Sequence, residues 1–293
     1  MKPAPFTYEA PTTLAEAVDV LGRYGDEAKV LAGGQSLVPV LALRLARFEA
    51  LVDLNRVEEL AYVREDDGAV VIGAMTRQAT VEADPLVRRA VPVLAEATRL
   101  IGHFQIRNRG TLGGSIAHGD PAAEYPAVVT ALDGTVTVAG PNGHRQIAAA
   151  DLYDGPMTST LADEEILAAV SFPVWGPGSG FAVREMARRE GDFATAGTVV
   201  GVTVADGKIS RAAISLFGMG PVPLRARAAE AQLVGAQVSG DGATGLDLTE
   251  VGQAAVAGID PPSDVHASGR YRARVASRLV ARALESALQE ANR

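Results

Sequence analysis

The chain has no cysteine, no basic block, no apolar run of about 18 residues and no histidine pair at a metal-binding interval. Without thiols, disulfides, thiolate zinc sites, cysteine-ligated iron-sulfur clusters and a cysteine nucleophile are all excluded within this polypeptide. Without a long apolar run no membrane span is predicted, and Met1 to Pro5 lead into polar sequence rather than a signal region, so the expected location is cytoplasmic. Thirty-five acidic against 27 basic side chains give a net charge of −8, which argues against a nucleic-acid partner, because phosphate-backbone affinity rests on clustered Lys and Arg. His103, His118, His144 and His266 stand apart, so no metal site is expected. What is present is ordinary for a folded chain: 47% hydrophobic and 21% charged residues. At 293 residues the chain reaches the size at which one core divides, and two or three subdomains are predicted, with no internal repeat.

Periodicity assigns the elements. Thr12-Thr13 before Leu14, Ala17, Val18 and Leu21 predicts a capped amphipathic helix closed by Gly22 and Gly25. A strand follows at Lys29 to Ala32, then Gly33-Gly34-Gln35-Ser36, with Ser36 placed to cap a helix from Leu37 to Leu45. Leu51 to Leu54 reads as a strand, and Asp66-Asp67-Gly68 as a hairpin turn between Tyr62-Val63 and Ala69 to Ile72. Helix starts are expected at Thr76 and at Asp84-Pro85, the second opening one long helix to about Ile101. Ala122 to Leu132 predicts a helix, Thr135 to Ala139 a strand, Pro141-Asn142-Gly143 a turn, and Ile166 to Phe172 a strand. The composition shift at Pro173 to Gly180 reads as a linker. Beyond it, strands at Phe181 to Met186, Val199 to Ala205 and Ile209 to Phe217 precede helices near Arg227 to Gly235, Leu248 to Gly258 and Ser268 to Asn292, with a polar loop at Gly240 to Gly245. Strands followed by helices predict an α+β unit.

Between Gly102 and Asp120 the period breaks, and 19 residues without clear period between strongly patterned flanks point to function rather than disorder. Two glycine-rich loops stand out, Ala32-Gly33-Gly34-Gln35-Ser36-Leu37 and Gly110-Thr111-Leu112-Gly113-Gly114-Ser115. A glycine pair admits unusual torsions or lets a ligand lie against backbone amides, and amides turned inward suit a phosphate. The bland reading of either loop alone is an ordinary turn. Neither has the Walker or the Rossmann spacing, which counts against an ATPase and a plain NAD-binding domain. Arg107, Arg109 and Arg188 read equally well as surface charges, Glu124 as a helix-end acid, and Tyr8, Tyr125 and Trp175 as packing residues. Ser115, Asp120 and Glu124 have no histidine base placed beside them, so sequence proximity makes no triad.

The stretch Val30 to Pro39, together with Gln105-Ile106-Arg107-Asn108-Arg109-Gly110-Thr111-Leu112-Gly113-Gly114-Ser115 and Asp120-Pro121-Ala122-Ala123-Glu124, resembles the FAD-binding subunit of molybdenum hydroxylases. That family includes the medium subunit of carbon monoxide dehydrogenase and the flavin portion of xanthine dehydrogenase. The resemblance spans the chain: Arg188-Arg189-Glu190-Gly191-Asp192-Phe193-Ala194 looks like the family's Arg-x-x-Gly-Asp-aromatic-Ala segment, and Gly218 to Pro223 and Tyr271-Arg272 also match family features.

The resemblance implies an α+β fold: a two-part FAD-binding domain of the PCMH (vanillyl-alcohol-oxidase-like) type, then a smaller α+β C-terminal domain with a three-stranded antiparallel sheet and helices. The expected division is 1–172, with subdomains of about 1–55 and 56–172, then a linker at 173–180 and a C-terminal domain at 181–293. Ala32, Gly33, Gly34, Gln35, Ser36 and Leu37 would wrap the FAD pyrophosphate, and Thr111, Gly113, Gly114 and Ser115 would form the second wall. Glu124 stands where many relatives have an aspartate that hydrogen-bonds FAD, and Asp192 and Phe193 lie in the segment brought near the isoalloxazine. Gln35 replaces a histidine of some relatives, and Glu185-Met186 stand where some carry a lysine. The implied function is electron transfer from the 2Fe-2S clusters of a small subunit through FAD to an external acceptor. A large molybdenum-cofactor subunit would hydroxylate the substrate, in a dimer of heterotrimers. Two other functions compete: a self-contained FAD oxidase of the related fold, and a nucleotide-binding module without redox chemistry.

Overall fold

Three short strands begin the computed structural model, which describes residues 2–239, 242–243 and 245–293. β1 (Thr7–Glu9), β2 (Ala28–Leu31) and β3 (Ala50–Asp53) pair in parallel in the order β1-β3-β2. Parallel neighbours need crossovers, supplied by α1 (Leu14–Tyr24) and α2 (Leu37–Ala42). Thr13 and Glu16 form a capping box at the start of α1, and Gly25 caps its end. Gly22 lies inside the helix rather than closing it; an interior glycine costs about 1 kcal/mol, less than the helix gains by burying Val18, Val20 and Leu21. α2 stops at Ala42, short of the expected Leu45, because Arg44 turns to a positive φ of 58°.

The second sheet is antiparallel throughout. β4 (Val63–Asp66), β5 (Ala69–Gly73), β6 (Thr135–Gly140), β7 (Gly143–Ala148) and β10 (Ile166–Pro173) take the order β4-β5-β10-β6-β7, with a small ribbon of β8 (Tyr153–Gly155) and β9 (Thr158–Ser159) alongside. β7 escaped sequence reading because its only buried side chain is Ile147. Between β5 and β6 run six helices: α3 (Gln78–Ala83), α4 (Pro85–Ala90), α5 (Pro92–Leu100), α6 (Phe104–Arg107), α7 (Leu112–His118) and α8 (Glu124–Ala131). The single helix expected from Asp84 to Ile101 is broken at Val91-Pro92, where the proline ring displaces the preceding residue to φ −138° and ψ 60°. The helix expected from Thr76 begins only at Gln78. The segment from Gly102 to Asp120, which shows no clear period in sequence, contains α6 and α7; five glycines and two short helices leave too few apolar positions to show one.

β11 (Ser179–Met186), β12 (Ala196–Ala205), β13 (Lys208–Phe217) and the two-residue β14 (Leu224–Arg225) form the third sheet in that order, so a short fourth strand joins the three expected. Asp206 and Gly207 both take positive φ, 52° and 69°, the torsions a tight two-residue hairpin requires. Alternation gives this sheet two buried faces. Phe181, Val183, Val199 and Phe217 enter a core shared with α5 and α8, whereas Ala182, Val200, Val202, Ile214 and Leu216 pack under the C-terminal helices. Those helices are α9 (Arg227–Leu233), α10 (Leu248–Val256) and α11 (Gly269–Ala291), with β15 (Val238–Ser239) and β16 (Gly242–Ala243) as a small hairpin. Gly240, Asp241 and Thr244 of the expected polar loop lie outside the described residues.

α8 is buried at every position from Glu124 to Ala131, with helices of the second unit on one side and β12 and β13 on the other. A helix that is apolar all round belongs in a core, and α8 is the wedge that joins the two halves. Full burial of Phe172 and Phe217 beside it contributes about 2 to 3 kcal/mol each. Among the described residues no helix is long and apolar enough to cross a membrane.

Candidate functional site

The two glycine loops meet. A Cβ added at Gly33 would lie 2.5 Å from the Arg109 carbonyl oxygen and 2.7 Å from Gly110 Cα, and one at Gly114 would lie 3.1 Å from Ala32 Cβ. Residues some 80 positions apart in sequence are therefore in backbone contact where only glycine fits. β2 delivers the first loop, which continues into α2. The second is pinned by its neighbours: Gln78 N donates to Gly110 O (2.9 Å), Leu112 N to Thr76 O (3.0 Å) and Gly113 N to Ala74 O (2.9 Å).

A polar brace locks the loops together. Asn55 Nδ2 donates to Ala32 O (3.0 Å), Arg77 Nη2 to Asn55 Oδ1 (2.6 Å) and Arg77 Nη1 to Arg109 O (2.5 Å). Asp53 accepts from Asn55 N (2.9 Å) and from the Tyr8 hydroxyl. Burial and the neighbouring Arg109 lower the Arg77 pKa from its ordinary value, and Asp53 opposes them. Two guanidinium groups near one loop contact supply positive charge to an otherwise acidic chain.

The donor set can be read directly. The amides of Gly33, Gly34, Gln35 and Ser36 make no hydrogen bond among the described residues. Ser36 occupies the first position before α2, yet its hydroxyl makes no capping bond, contrary to the expected cap; its backbone is already helical (φ −99°, ψ −46°), which turns the oxygen away from the next amides. Gln35 is exposed and folds back, Nε2 to Gly33 O at 3.1 Å. Leu37 is the first residue of α2. In the second loop, Thr111 caps α7 by accepting from Gly114 N (3.1 Å), Gly113 is buried, and Gly114 and Ser115 are half-buried. A run of four unpaired amides, two of them on glycines without Cβ atoms, fits the pyrophosphate of a dinucleotide cofactor.

Two of the remaining candidates, Asp192 and Phe193, approach from the C-terminal half. Asp192 and Phe193 sit on the loop between β11 and β12, and Phe193 is 63% exposed. Gly191 of that loop presses against Gly102 and His103, at the start of the segment leading to the second glycine loop. Arg107 holds this segment from beneath by donating to Ile101 O (3.1 Å) and Gly102 O (3.0 Å) while pairing with Glu82 (3.0 Å). Glu124, at the start of α8, is 5% exposed, and its carboxyl bonds only its own backbone amide. Burial, then the charge of Glu185, push its pKa up to about 8. Glu185 lies on the same face of β11 as Phe181 and Val183, buried enough to raise its pKa to about 7, and its Oε2 has no partner. The structure thus joins the glycine loops directly. It places Asp192, Phe193 and Glu124 along the seam between the halves, with no recorded bond from them to either loop.

Sequence reading missed Asp53, Asn55, Arg77 and Glu185. The polar turn closing the apolar strand before Asn55 is a weak signal for the first two; nothing local marks Arg77 or Glu185. Among the described residues no cluster of His, Asp or Glu has the arrangement of a metal site.

Comparison with known proteins matches the chain along nearly its whole length. Residues 4–175 match the FAD binding domain in molybdopterin dehydrogenase, and residues 181–287 the CO dehydrogenase flavoprotein C-terminal domain. The chain is 41% identical over 292 residues to the 6-hydroxypseudooxynicotine dehydrogenase complex subunit alpha of Paenarthrobacter nicotinovorans, covering 99% of this chain and 97% of that relative. Its fold superposes on carbon monoxide dehydrogenase from Hydrogenophaga pseudoflava with a TM-score of 0.93 at 39% identity, covering 98% of both chains. Quinoline 2-oxidoreductase from Pseudomonas putida 86 gives 0.91 at 34% identity, covering 99% of both. The chain belongs to the FAD-binding medium subunits of the molybdenum hydroxylases, an oxidoreductase subunit whose cofactor is FAD.

Proposed function

We propose that this chain is the electron-transfer step of a multisubunit molybdenum hydroxylase, taking electrons from 2Fe-2S clusters on a small partner subunit and delivering them to an external acceptor. FAD supplies the exchange between one-electron donors and a two-electron acceptor. The observation that carries the reading is the contact between the glycine loops, with four unpaired amides beside it. Gly33, Gly34, Gln35 and Ser36 present amide donors to the pyrophosphate, and the Ser36 hydroxyl adds another. Ala32 and Leu37 frame that loop, while Thr111, Gly113, Gly114 and Ser115 form the facing wall. Glu124 offers a carboxyl to the cofactor from the seam, and Asp192 and Phe193 close the flavin side from the C-terminal half.

The large partner carries the molybdenum cofactor and chooses the substrate. Two relatives named for a nicotine derivative and for quinoline resemble this chain along nearly its whole length, so what they share is the electron route rather than a substrate pocket. In this proposal residues 1–172 form the FAD-binding domain, 173–180 the linker and 181–293 the domain that closes over it. The assembly is a cytoplasmic dimer of heterotrimers. Purified chain supplied with FAD is expected to show flavin absorbance, to bleach on photoreduction and to recover with an artificial acceptor. Protein that retains no flavin absorbance once unbound FAD has been removed refutes the reading. Mass spectrometry of the native complex, showing a large chain and a cysteine-rich small chain, tests the partnership.

A further inference from the structure

Arg272, in the first turns of α11, is 5% exposed although it carries a permanent charge. Its guanidinium reaches three places at once. Nη1 donates to the carbonyl oxygens of Thr195 and Gly218, the latter at 3.2 Å, and Nη2 pairs with Asp264 Oδ2 at 2.6 Å. Asp264 is itself fixed by the amides of His266 (2.8 Å) and Ala267 (3.0 Å), which hold its carboxyl well below the ordinary range, so the anchor stays ionised.

The two carbonyls are the points from which the seam is built. Thr195 N donates to Met186 O (2.7 Å), closing the base of the loop that carries Asp192 and Phe193. Gly218 N donates to Pro121 O (2.8 Å), in the segment that leads to Glu124. One arginine therefore sets the C-terminal end of the loop and the turn that grips the other half of the molecule. Arg272 Nε remains buried without a partner. An unsatisfied buried donor is a standing cost, and apolar side chains often replace buried ion pairs without loss of stability. Packing alone does not account for a cation here; fixing two carbonyls relative to each other does.

We propose that Arg272 is a positioning residue that sets the loop from Ala187 to Thr195 at the seam and, through it, the surroundings of the bound flavin. The second half of the proposal rests on the reading that Asp192 and Phe193 face FAD. Lysine cannot replace this fork, because one ammonium cannot span two carbonyls and a carboxylate with the same geometry.

The test uses the full chain with FAD bound, in the variants Arg272→Lys and Asp264→Asn; the latter leaves Arg272 in place should the first fail to fold. Trypsin cleavage after the exposed Arg188 and Arg189, followed by mass spectrometry, reads the loop itself. Visible circular dichroism and the midpoint potential of the flavin read its surroundings. In both variants cleavage at these two sites is expected to quicken about tenfold, since the opening of a local segment follows the contacts that hold it, and the flavin dichroism and potential are expected to shift. Unchanged cleavage in a folded variant overturns the positioning role. Faster cleavage with an unaltered flavin signal overturns the link to FAD and the placing of Asp192 and Phe193 beside it, while leaving the glycine-loop reading standing.

Discussion

Replacing Gly33 with alanine adds one methyl group at the contact between the two loops. That Cβ would stand 2.5 Å from Arg109 O, where ordinary contact begins at 3.4 Å, so the loops must part by about 0.9 Å. The second loop cannot yield easily: Arg109 O accepts from Arg77, and Gly110 is bonded through both its amide (Ile106 O, 2.7 Å) and its carbonyl (Gln78 N, 2.9 Å). The first loop moves instead, carrying the four unpaired amides with it. Gly33 does not take a positive φ, so alanine tests space alone. Overpacking of this kind costs about 1 to 3 kcal/mol, and a hydrogen bond to a charged group contributes about 1.5 to 3 kcal/mol. Losing one or two such bonds to a pyrophosphate corresponds to roughly a 100-fold rise in Kd for FAD. Fluorescence quenching titrations of FAD into the full chain measure it. Gly22→Ala is the control: its added methyl, inside α1, meets nothing within 4 Å, and the variant is expected to gain about 0.5 to 1 kcal/mol with FAD affinity unchanged. A Gly33→Ala protein that binds FAD as tightly as the parent would refute the assignment of the loops.

Two further outcomes follow from the seam between the halves. The pKa values of Glu124 and Glu185 are raised above the ordinary 4.5, to about 8 and about 7, so the folded chain keeps protons that the unfolded chain has released. As far as these groups are concerned, stability is expected to be full below about pH 4.5 and to fall as pH rises from there toward 8, by on the order of 4 kcal/mol for Glu124. Urea midpoints from pH 5 to 9 measure it; Glu124→Gln should flatten the profile, and an equally steep profile in that variant would show the cause to lie elsewhere. Arg225 donates to Thr130 O (2.8 Å) and Asp133 Oδ1 (2.7 Å) across the seam and pairs with buried Glu230 (2.5 Å). Arg225→Met is expected to cost about 3 kcal/mol by removing the main charge partner of Glu230, which keeps only the Ile214 amide (2.8 Å) and Arg227 at 3.7 Å, with partial recovery in the double variant Arg225→Met/Glu230→Gln; denaturant unfolding decides, and no recovery means that the lost carbonyl contacts dominate.

Where local chemistry is self-sufficient, the sequence was legible. Thr12-Thr13 and the spacing of Leu14, Ala17, Val18 and Leu21 announce α1, Asp206-Gly207 the hairpin between β12 and β13, and the apolar run of Ile209 to Phe217 a strand. Where an element depends on something distant, it was not. β7 is a polar edge strand whose existence comes from pairing with β6, and the break at Pro92 was masked by apolar residues on both sides. The two glycine loops were visible as motifs, but Asn55 and Arg77, which tie them together, are ordinary polar residues until the chain folds.

The sequence by itself determined that the chemistry here uses groups other than thiols, or a borrowed cofactor, because the chain has no cysteine and no metal-spaced histidine pair, and it marked two glycine loops as candidate places of close backbone approach. Only the tertiary structure decided that the loops touch, that Ser36 makes no capping bond, that buried Glu124 and half-buried Glu185 share one seam, and that Arg272 joins two carbonyls 23 positions apart in sequence. The physical reason is range: caps, turns and periodicity act over a few residues, whereas burial, charge and close backbone approach are properties of neighbours that the chain brings together only when folded.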